Sequence, residues 1–190
     1  MKKEILILVL LFCSVLGVNA QKFKGLDKSP MDMAYYPDEF AHDRKFAPQK
    51  VGDKAYIRLM YSRPAKKERV IFGKLVPYGK VWRVGADEAT EIKFYEDVTI
   101  QGKTLKAGVY SLFMIPTETE WTIIFNTDLD VWGAYSYNEA KDVLRATVKP
   151  QKMDETVENL TINFGKGNDK EALMNLGWEN VMVSLPIMLK

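Results

Sequence analysis

The chain has 190 residues, of which 47% are hydrophobic, 12% aromatic and 27% charged, and these proportions are typical of one folded domain. Its 27 basic and 25 acidic side chains leave a net charge of +2 and are interleaved, so no basic stripe is available for nucleic acid. Only one Cys (Cys13) and one His (His42) occur, which excludes most metal sites and any Ser-His-Asp triad in the core. We therefore predict no catalytic residue, no cofactor and no metal site.

The first twenty residues have the pattern of a secretory signal peptide. Lys2 and Lys3 precede an apolar run over 5–18, and small or compact residues at Val18 and Ala20 form a cleavage motif. The run is shorter than the roughly 20 residues that a membrane-spanning helix needs. We expect cleavage near Ala20, a periplasmic or secreted mature protein, and no transmembrane segment after cleavage.

Residues 21–50 show neither strand nor helix periodicity, and they contain three prolines. We predict an extended N-terminal arm, and its aromatic side chains indicate that it packs on the domain surface in places. His42 is predicted to be a surface residue in this arm.

Residues 51–190 are predicted to form a single β-sandwich domain. Apolar and polar side chains alternate with a period of two in these runs: 55–61, 90–95, 121–125, 144–148, 160–164, 174–178 and 181–185. Turn residues separate them at Gln101-Gly102, Ala107-Gly108, 165–168 and Glu179-Asn180. The pattern predicts an all-β, antiparallel two-sheet sandwich, jelly-roll-like, with one short helix and the extended N-terminal arm.

Two segments depart from simple alternation. Residues 109–115 are apolar on both faces apart from Ser111, which predicts a central strand whose outer face the N-terminal arm covers. Residues 138–143 predict the one helical turn, because Asn138 can cap it and the next residues favour a helix.

The densest group of motifs lies between Tyr61 and Phe94, in the order YSRP, IFG, LVPYGKVWR and GADEAT. With later motifs up to about residue 187, this segment resembles the exported bacterial family of domains of unknown function numbered 2911. Asp87 stands where that family usually has Asn. The resemblance implies an exported β domain of a Gram-negative cell envelope, and it implies no particular activity.

The candidate site comprises Arg63, Trp82, Arg83, Asp87 and Glu88. Two guanidiniums, two carboxylates and an indole can form a pocket for a small polar ligand or a glycan. The alternative, which we favour, is a structural ion pair between Arg83 and Glu88 that holds a turn between two strands. Asp87 and Glu88 could also serve as acid and base of a hydrolase, but neighbouring residues on a strand point to opposite faces.

A second polar and aromatic cluster spans residues 126–145. Asn126, Asp128 and Asp130 have calcium-loop spacing but lack the Gly and Glu of an EF-hand, so an ordinary acidic turn is the better interpretation. Its aromatic residues could make a sugar platform, although we favour core packing for them: Trp132, Tyr135 and Tyr137.

These observations favour an exported, non-catalytic binding or accessory module of the cell envelope. Two alternatives stay open. One is a carboxylate-dependent hydrolase that acts on glycan or cell-wall-derived material. The other is a structural protein-interaction domain whose arm docks on a partner protein.

Overall fold

The computed structural model describes residues 23–190, so the predicted signal peptide lies outside the described residues. Within residues 23–190, ten strands form two antiparallel sheets, and this confirms the predicted fold class. The strands are β1 (Met31–Tyr36), β2 (Ile57–Ser62), β3 (Thr90–Phe94), β4 (Val98–Ile100), β5 (Lys103–Leu105), β6 (Gly108–Ile115), β7 (Trp121–Asn126), β8 (Asp142–Val148), β9 (Gln151–Lys166) and β10 (Glu171–Met188). One sheet has the order β1-β2-β3-β6-β7-β8 and the other β5-β4-β10-β9.

The core lies between the two sheets and follows the predicted alternation. On β7, Trp121, Ile123 and Phe125 are buried, and on β9 Leu160 and Phe164 are buried with them in the same cluster. Period two therefore identified the inward faces because each of these strands has one face toward the opposite sheet.

The predicted N-terminal arm contains regular structure. Residues 31–36 form the edge strand β1, which pairs with β2 from Met31–Ser62 to Tyr36–Ile57, and two helices follow, α1 (Phe40–Phe46) and α2 (Pro48–Val51). Alternation did not reveal β1 because only Ala34 of that strand is buried.

The turn predicted at Glu179-Asn180 is absent, because β10 runs through it without interruption. The strand instead shifts register between Gly177 and Val181, and Glu179 has a φ of 56°. Four residue steps on β10, from Gly177 to Val181, face nine on β9, from Thr161 to Lys152, so the β-bulge carries its extra residues on β9. On β10 itself, the left-handed conformation of Glu179 accompanies a change in the pattern of inward side chains. Even-numbered residues up to Trp178 are buried, whereas odd-numbered residues are buried from Val183 onward.

Two of the other predicted turns are hairpins. Gln101 and Gly102 join β4 to β5 with φ values of 47° and 77°, which fits the type I′ turn that the strand twist favours. The turn predicted at 165–168 is the β9–β10 hairpin, but its connection is residues 167–170, because β9 continues to Lys166. Ala107 and Gly108 make no hairpin, since they link β5 in one sheet to β6 in the other.

The outer face of the central strand β6 is covered, but the N-terminal arm does not cover it. Phe113 and Ile124 are buried together on this face, and Val131, Ala134 and Tyr137 pack against them from the β7–β8 loop. The predicted helical turn in that loop is a 3-10 helix over Glu139–Lys141, and it is short because β8 already begins at Asp142. Among residues 23–190, no helix has the length and apolar character needed to cross a bilayer.

Asp97 ties three parts of the chain together and gives a pH-dependent prediction. Its carboxylate accepts hydrogen bonds from the Ala107 amide at 2.9 Å and from the Nζ atoms of Lys190 and Lys106 at 2.9 and 3.1 Å. These bonds, with the amide first, hold the pKa of Asp97 well below its ordinary value.

A lowered folded-state pKa means that Asp97 stabilises the protein above the unfolded-state pKa of about 3.9 and that this contribution is lost as the pH falls below it. Asp97→Asn should therefore lower the thermal midpoint at pH 6. The difference in thermal midpoint between the variant and the wild type should become smaller below about pH 4. Thermal melts across this pH range test the prediction. A deficit that is the same at every pH would contradict it.

Candidate anion-binding cleft

The long β2–β3 loop, residues 63–89, covers one end of the sandwich and is fixed to it at several points. The backbone N–H and C=O of Trp82 pair with Met114 on β6 at 2.9 Å or less. The Ser62 hydroxyl donates to the Ala86 carbonyl and accepts from the Ala86 amide, each at 2.6 Å. Long loops held on a rigid scaffold are frequent sites of ligand binding.

Aromatic side chains form an apolar floor beneath this loop. The rings of Trp82 and Trp178 are stacked with centroids 6.0 Å apart, and Phe72 meets both rings edge-on. The two indole N–H groups donate to backbone carbonyls, that of Trp82 to Gly85 at 3.3 Å and that of Trp178 to Glu158 at 3.2 Å. Because these donors are satisfied inside the protein, the floor is apolar and fixed in orientation.

A cleft of about 470 Å³ opens above this floor, and its charged lining residues are all basic. They are Lys28, Lys67, Arg69 and Arg83. The remaining lining residues are uncharged: Ser29, Pro64, Ala65, Leu75, Val76, Trp82, Gly85, Ala86 and Trp178. The volume falls in the range of small-molecule sites.

The basic side chains of the cleft form no ion pairs in the described part of the chain, although the Glu158 carboxylate accepts from the Lys67 backbone amide at 2.7 Å. The Nε atom of Arg83 is buried without a hydrogen-bond partner. Arg69 is held in place, since its guanidinium donates to the carbonyls of Lys66, at 3.1 Å, and Ala65. Preoriented guanidiniums of this kind suit a carboxylate, sulfate or phosphate.

The backbone next to Arg83 is strained. Val84 is fully buried and has a φ of 61°, a conformation that β-branched residues rarely adopt. A conformation of this kind costs on the order of 1–3 kcal/mol, and such strain clusters at functional sites. With Val84 in this conformation, its two neighbours, Arg83 and Gly85, lie in the wall of the cleft.

Two of the five predicted site residues, Trp82 and Arg83, line the cleft, and three do not. Glu88 is exposed and pairs through its backbone with Trp132, while the Asp87 carbonyl accepts from the Gly133 amide at 2.8 Å. The loop thus turns the two acids away from the cleft. The favoured ion pair between Arg83 and Glu88 is wrong, since no such pair forms in the described part of the chain.

Arg63, the fifth predicted residue, joins the two sheets. Its Nε donates to the Leu160 carbonyl at 3.1 Å, Nη2 to the Thr161 hydroxyl at 2.9 Å, and Nη1 to Asp32 at 2.9 Å. Residues 160 and 161 lie on β9 and Asp32 on β1, so Arg63 connects these two edge strands.

Arg63→Met should lower the free energy of unfolding by about 1–2 kcal/mol, since three charge-assisted hydrogen bonds are lost from a partly exposed side chain. The aliphatic replacement keeps much of the packing of the arginine stem. Urea denaturation measures the effect. A variant as stable as the wild type would show that the connection between β1 and β9 contributes nothing to stability.

The polar cluster after β7 is saturated by its own internal bonds. Tyr137 donates to Asp142 at 2.6 Å, while Arg145 donates to both residues at 2.8 Å and Asn126 donates to Asp142 at 2.7 Å. Burial and the bond to Asp142 raise the pKa of Tyr137 to about 12. Asp128 pairs with Lys141 at 2.7 Å, so this cluster stabilises the loop.

The aromatic residues of that cluster do not share one role. Tyr137 packs edge-on against Phe113, which agrees with the core packing predicted for it. Trp132 and Tyr135 are 59% and 88% exposed, so core packing is wrong for these two residues.

Comparison with known sequences assigns the family. A profile described as "Protein of unknown function (DUF2911)" matches residues 43–187. The chain belongs to this family. The match confirms the resemblance seen in the motifs from YSRP to GADEAT, and it includes every lining residue of the cleft except Lys28 and Ser29. Neither a curated protein nor a solved structure matches the chain.

Several lining residues were missed by sequence reasoning. Lys67 and Arg69 belong to the charge-dense stretch AKKER that follows YSRP, and this density between two strands was the available signal. Lys28 and Trp178 had no such signal, because the first lies in the arm and the second near the end of the chain.

Proposed function

We propose that the protein is a non-catalytic module that binds a small anionic ligand in this cleft. The observation that carries the proposal is the convergence of four basic side chains on one cleft without a carboxylate among its lining residues. Arg83 is half-buried, whereas Lys28, Lys67 and Arg69 are exposed. A guanidinium that is partly shielded from water binds an anion more strongly than a fully hydrated one, because fewer water dipoles compete for the charge.

The ligand class follows from the two surfaces of the cleft. Basic groups recognise a carboxylate, sulfate or phosphate, while the apolar wall of Leu75, Val76 and Trp82 suits the uncharged part of the same molecule. An acidic sugar combines both features and has a suitable size. The signal-peptide pattern of residues 1–20 supports action in the cell envelope, where acidic glycans are available to an exported protein.

Geometry does not favour the hydrolase alternative at this position. Acid–base cleavage of a glycoside requires two carboxyl groups on opposite sides of the bond to be broken. Asp87 and Glu88, the two acids considered for that role, are absent from the cleft lining. Binding is therefore the function that this arrangement supports best.

The test is a thermal-shift comparison of matched charged and neutral ligands: glucuronate against glucose, with inorganic phosphate and sulfate as simple anions. Because a ligand that binds only the folded state raises the thermal midpoint, glucuronate should raise it in a concentration-dependent manner and glucose should not. The shift should weaken as the NaCl concentration increases, since salt screens the charges. Equal shifts for glucuronate and glucose, or no shift with any of the three anions, would overturn the proposal.

A further inference from the structure

We propose a second site, for monovalent copper, on the outer face of β1 and β2, where the thioethers of Met31, Met33 and Met60 and the imidazole of His42 serve as ligands. A cavity of about 800 Å³ lies here beside α1, and all four residues line it. It shares no lining residue with the anion-binding cleft. The proposal departs from the prediction of no metal site, which rested on the count of Cys and His.

Strand register brings the three methionines to one surface. β1 and β2 are antiparallel, Met33 lies directly opposite Met60, and Met31 is two residues from Met33. Opposed residues share a face with Cβ atoms about 4.5–5.5 Å apart, and residues two apart on a strand share that face as well. Ala34, on the alternate face, is buried in the core, so the methionines point outward.

These methionines are not core residues that happen to reach the surface. Met31 and Met33 are 57% and 55% exposed, although the outer face of an edge strand is ordinarily polar. Thioether sulfur is a soft ligand that selects Cu(I) over harder cations.

His42 is oriented as a metal ligand. Its Nδ1 lies 2.8 Å from Oδ1 of Asp43, a residue that is itself buried, which leaves Nε2 available to an ion. A carboxylate behind the imidazole is the usual outer-shell arrangement at metal sites, because it fixes both the ring orientation and the tautomer. Phe46 also packs against the imidazole, with ring centroids 4.8 Å apart.

A harder cation is the competing occupant. Glu39, His42 and Asp43 each offer a ligand atom within 4.8 Å of the others. However, the Asp43 carboxylate is already engaged by His42 and by Lys50, at 2.8 and 3.6 Å. Only Glu39 and one imidazole nitrogen then remain for such an ion, fewer than a Zn²⁺ site requires.

The experiment measures Cu(I) affinity by anaerobic competition with the chromophoric chelator bicinchoninate. The full chain is used with Cys13→Ser in every sample, because the thiol of Cys13 would itself bind Cu(I). We expect one Cu(I) per chain. Met33→Leu and Met60→Leu preserve volume but remove the sulfur, and each should weaken binding at least about tenfold. Asp43→Asn should weaken it about 10- to 100-fold through His42.

Met188→Leu is the matched control, since this partly exposed methionine lies on β10 in the other sheet and should leave Cu(I) affinity unchanged. Circular dichroism melts verify that each variant is folded. No competition by the Cys13→Ser protein, or competition that survives the combined Met31→Leu, Met33→Leu and Met60→Leu substitutions, would overturn the proposal. Zn²⁺ binding that depends on Glu39 but not on the three methionines, without Cu(I) binding, would also overturn it in favour of the harder cation.

Discussion

Replacing Ile123 by Asp is expected to lower the free energy of unfolding by more than about 4 kcal/mol, because the substitution buries an unpaired carboxylate. Ile123 is fully buried at the centre of β7, between Met114 on β6 and Ala146 on β8. Its side chain points into the main core between the two sheets. Urea denaturation followed by tryptophan fluorescence measures the loss, and a variant that fails to fold at all agrees with the prediction.

Thr122→Asp is the matched control, because Thr122 adjoins Ile123 but is only half-buried on the opposite face. The loss of unfolding free energy caused by Thr122→Asp should be well under half of the loss caused by Ile123→Asp, in the range of ordinary surface substitutions. Ile124 cannot serve as this control, since the β7–β8 loop buries it on the outer face. Equal destabilisation by the two Asp substitutions would show that the register of β7 is wrong.

The second large effect concerns ligand binding. Arg83→Gln should weaken the affinity for an anion such as glucuronate by about 10- to 150-fold, which corresponds to the roughly 1.5–3 kcal/mol of a hydrogen bond to a charged group. The free energy of unfolding should change by less than about 1 kcal/mol, since Arg83 forms no ion pair in the described residues and its Nε has no partner to lose. Isothermal titration calorimetry and urea denaturation measure the two quantities separately.

Glu88→Gln is the control for this effect. Glu88 is only five residues away but lies outside the cleft, so its removal should leave anion affinity unchanged. In a double-mutant cycle, Arg83→Gln and Glu88→Gln should be additive in stability within about 0.5 kcal/mol. A coupling of several kcal/mol would show that Arg83 and Glu88 interact as an ion pair. That result would argue against an anion site at Arg83.

The fold could be predicted from the sequence to the extent that each strand has one buried and one exposed face. β7 meets that condition, because its inner face is buried in the core, and the alternation of its residues predicts the strand. β1 did not, because it is an edge strand with one buried residue. The irregularity in β10 is visible in the sequence as a change of phase between Trp178 and Val183. The same change fits a turn, and only the pairing with β9 distinguishes the two.

The candidate site was predictable in part. Trp82 and Arg83 lie in a short segment rich in charged and aromatic residues, and this composition indicates a candidate site. Trp178 belongs to a strand far away in sequence, and the packing of the two sheets places it beside Trp82. Asp87 and Glu88 were included because they are near Arg83 in sequence. The backbone at Asp87 has a φ of 59°, and Glu88 pairs with Trp132, so neither acid lines the cleft; local spacing does not predict that turn.

Anion binding in the cleft above the tryptophan floor is tested most directly by the tryptophan indole N–H signals in a ¹H–¹⁵N NMR titration. The chain has four tryptophans, of which Trp82 and Trp178 line the cleft and Trp132 is exposed beside Glu88, outside it. Titration with glucuronate should shift the Trp82 and Trp178 signals saturably and leave that of Trp132 unchanged. A saturable shift at Trp132 with Trp82 and Trp178 unmoved would place the ligand elsewhere and contradict anion binding in the cleft.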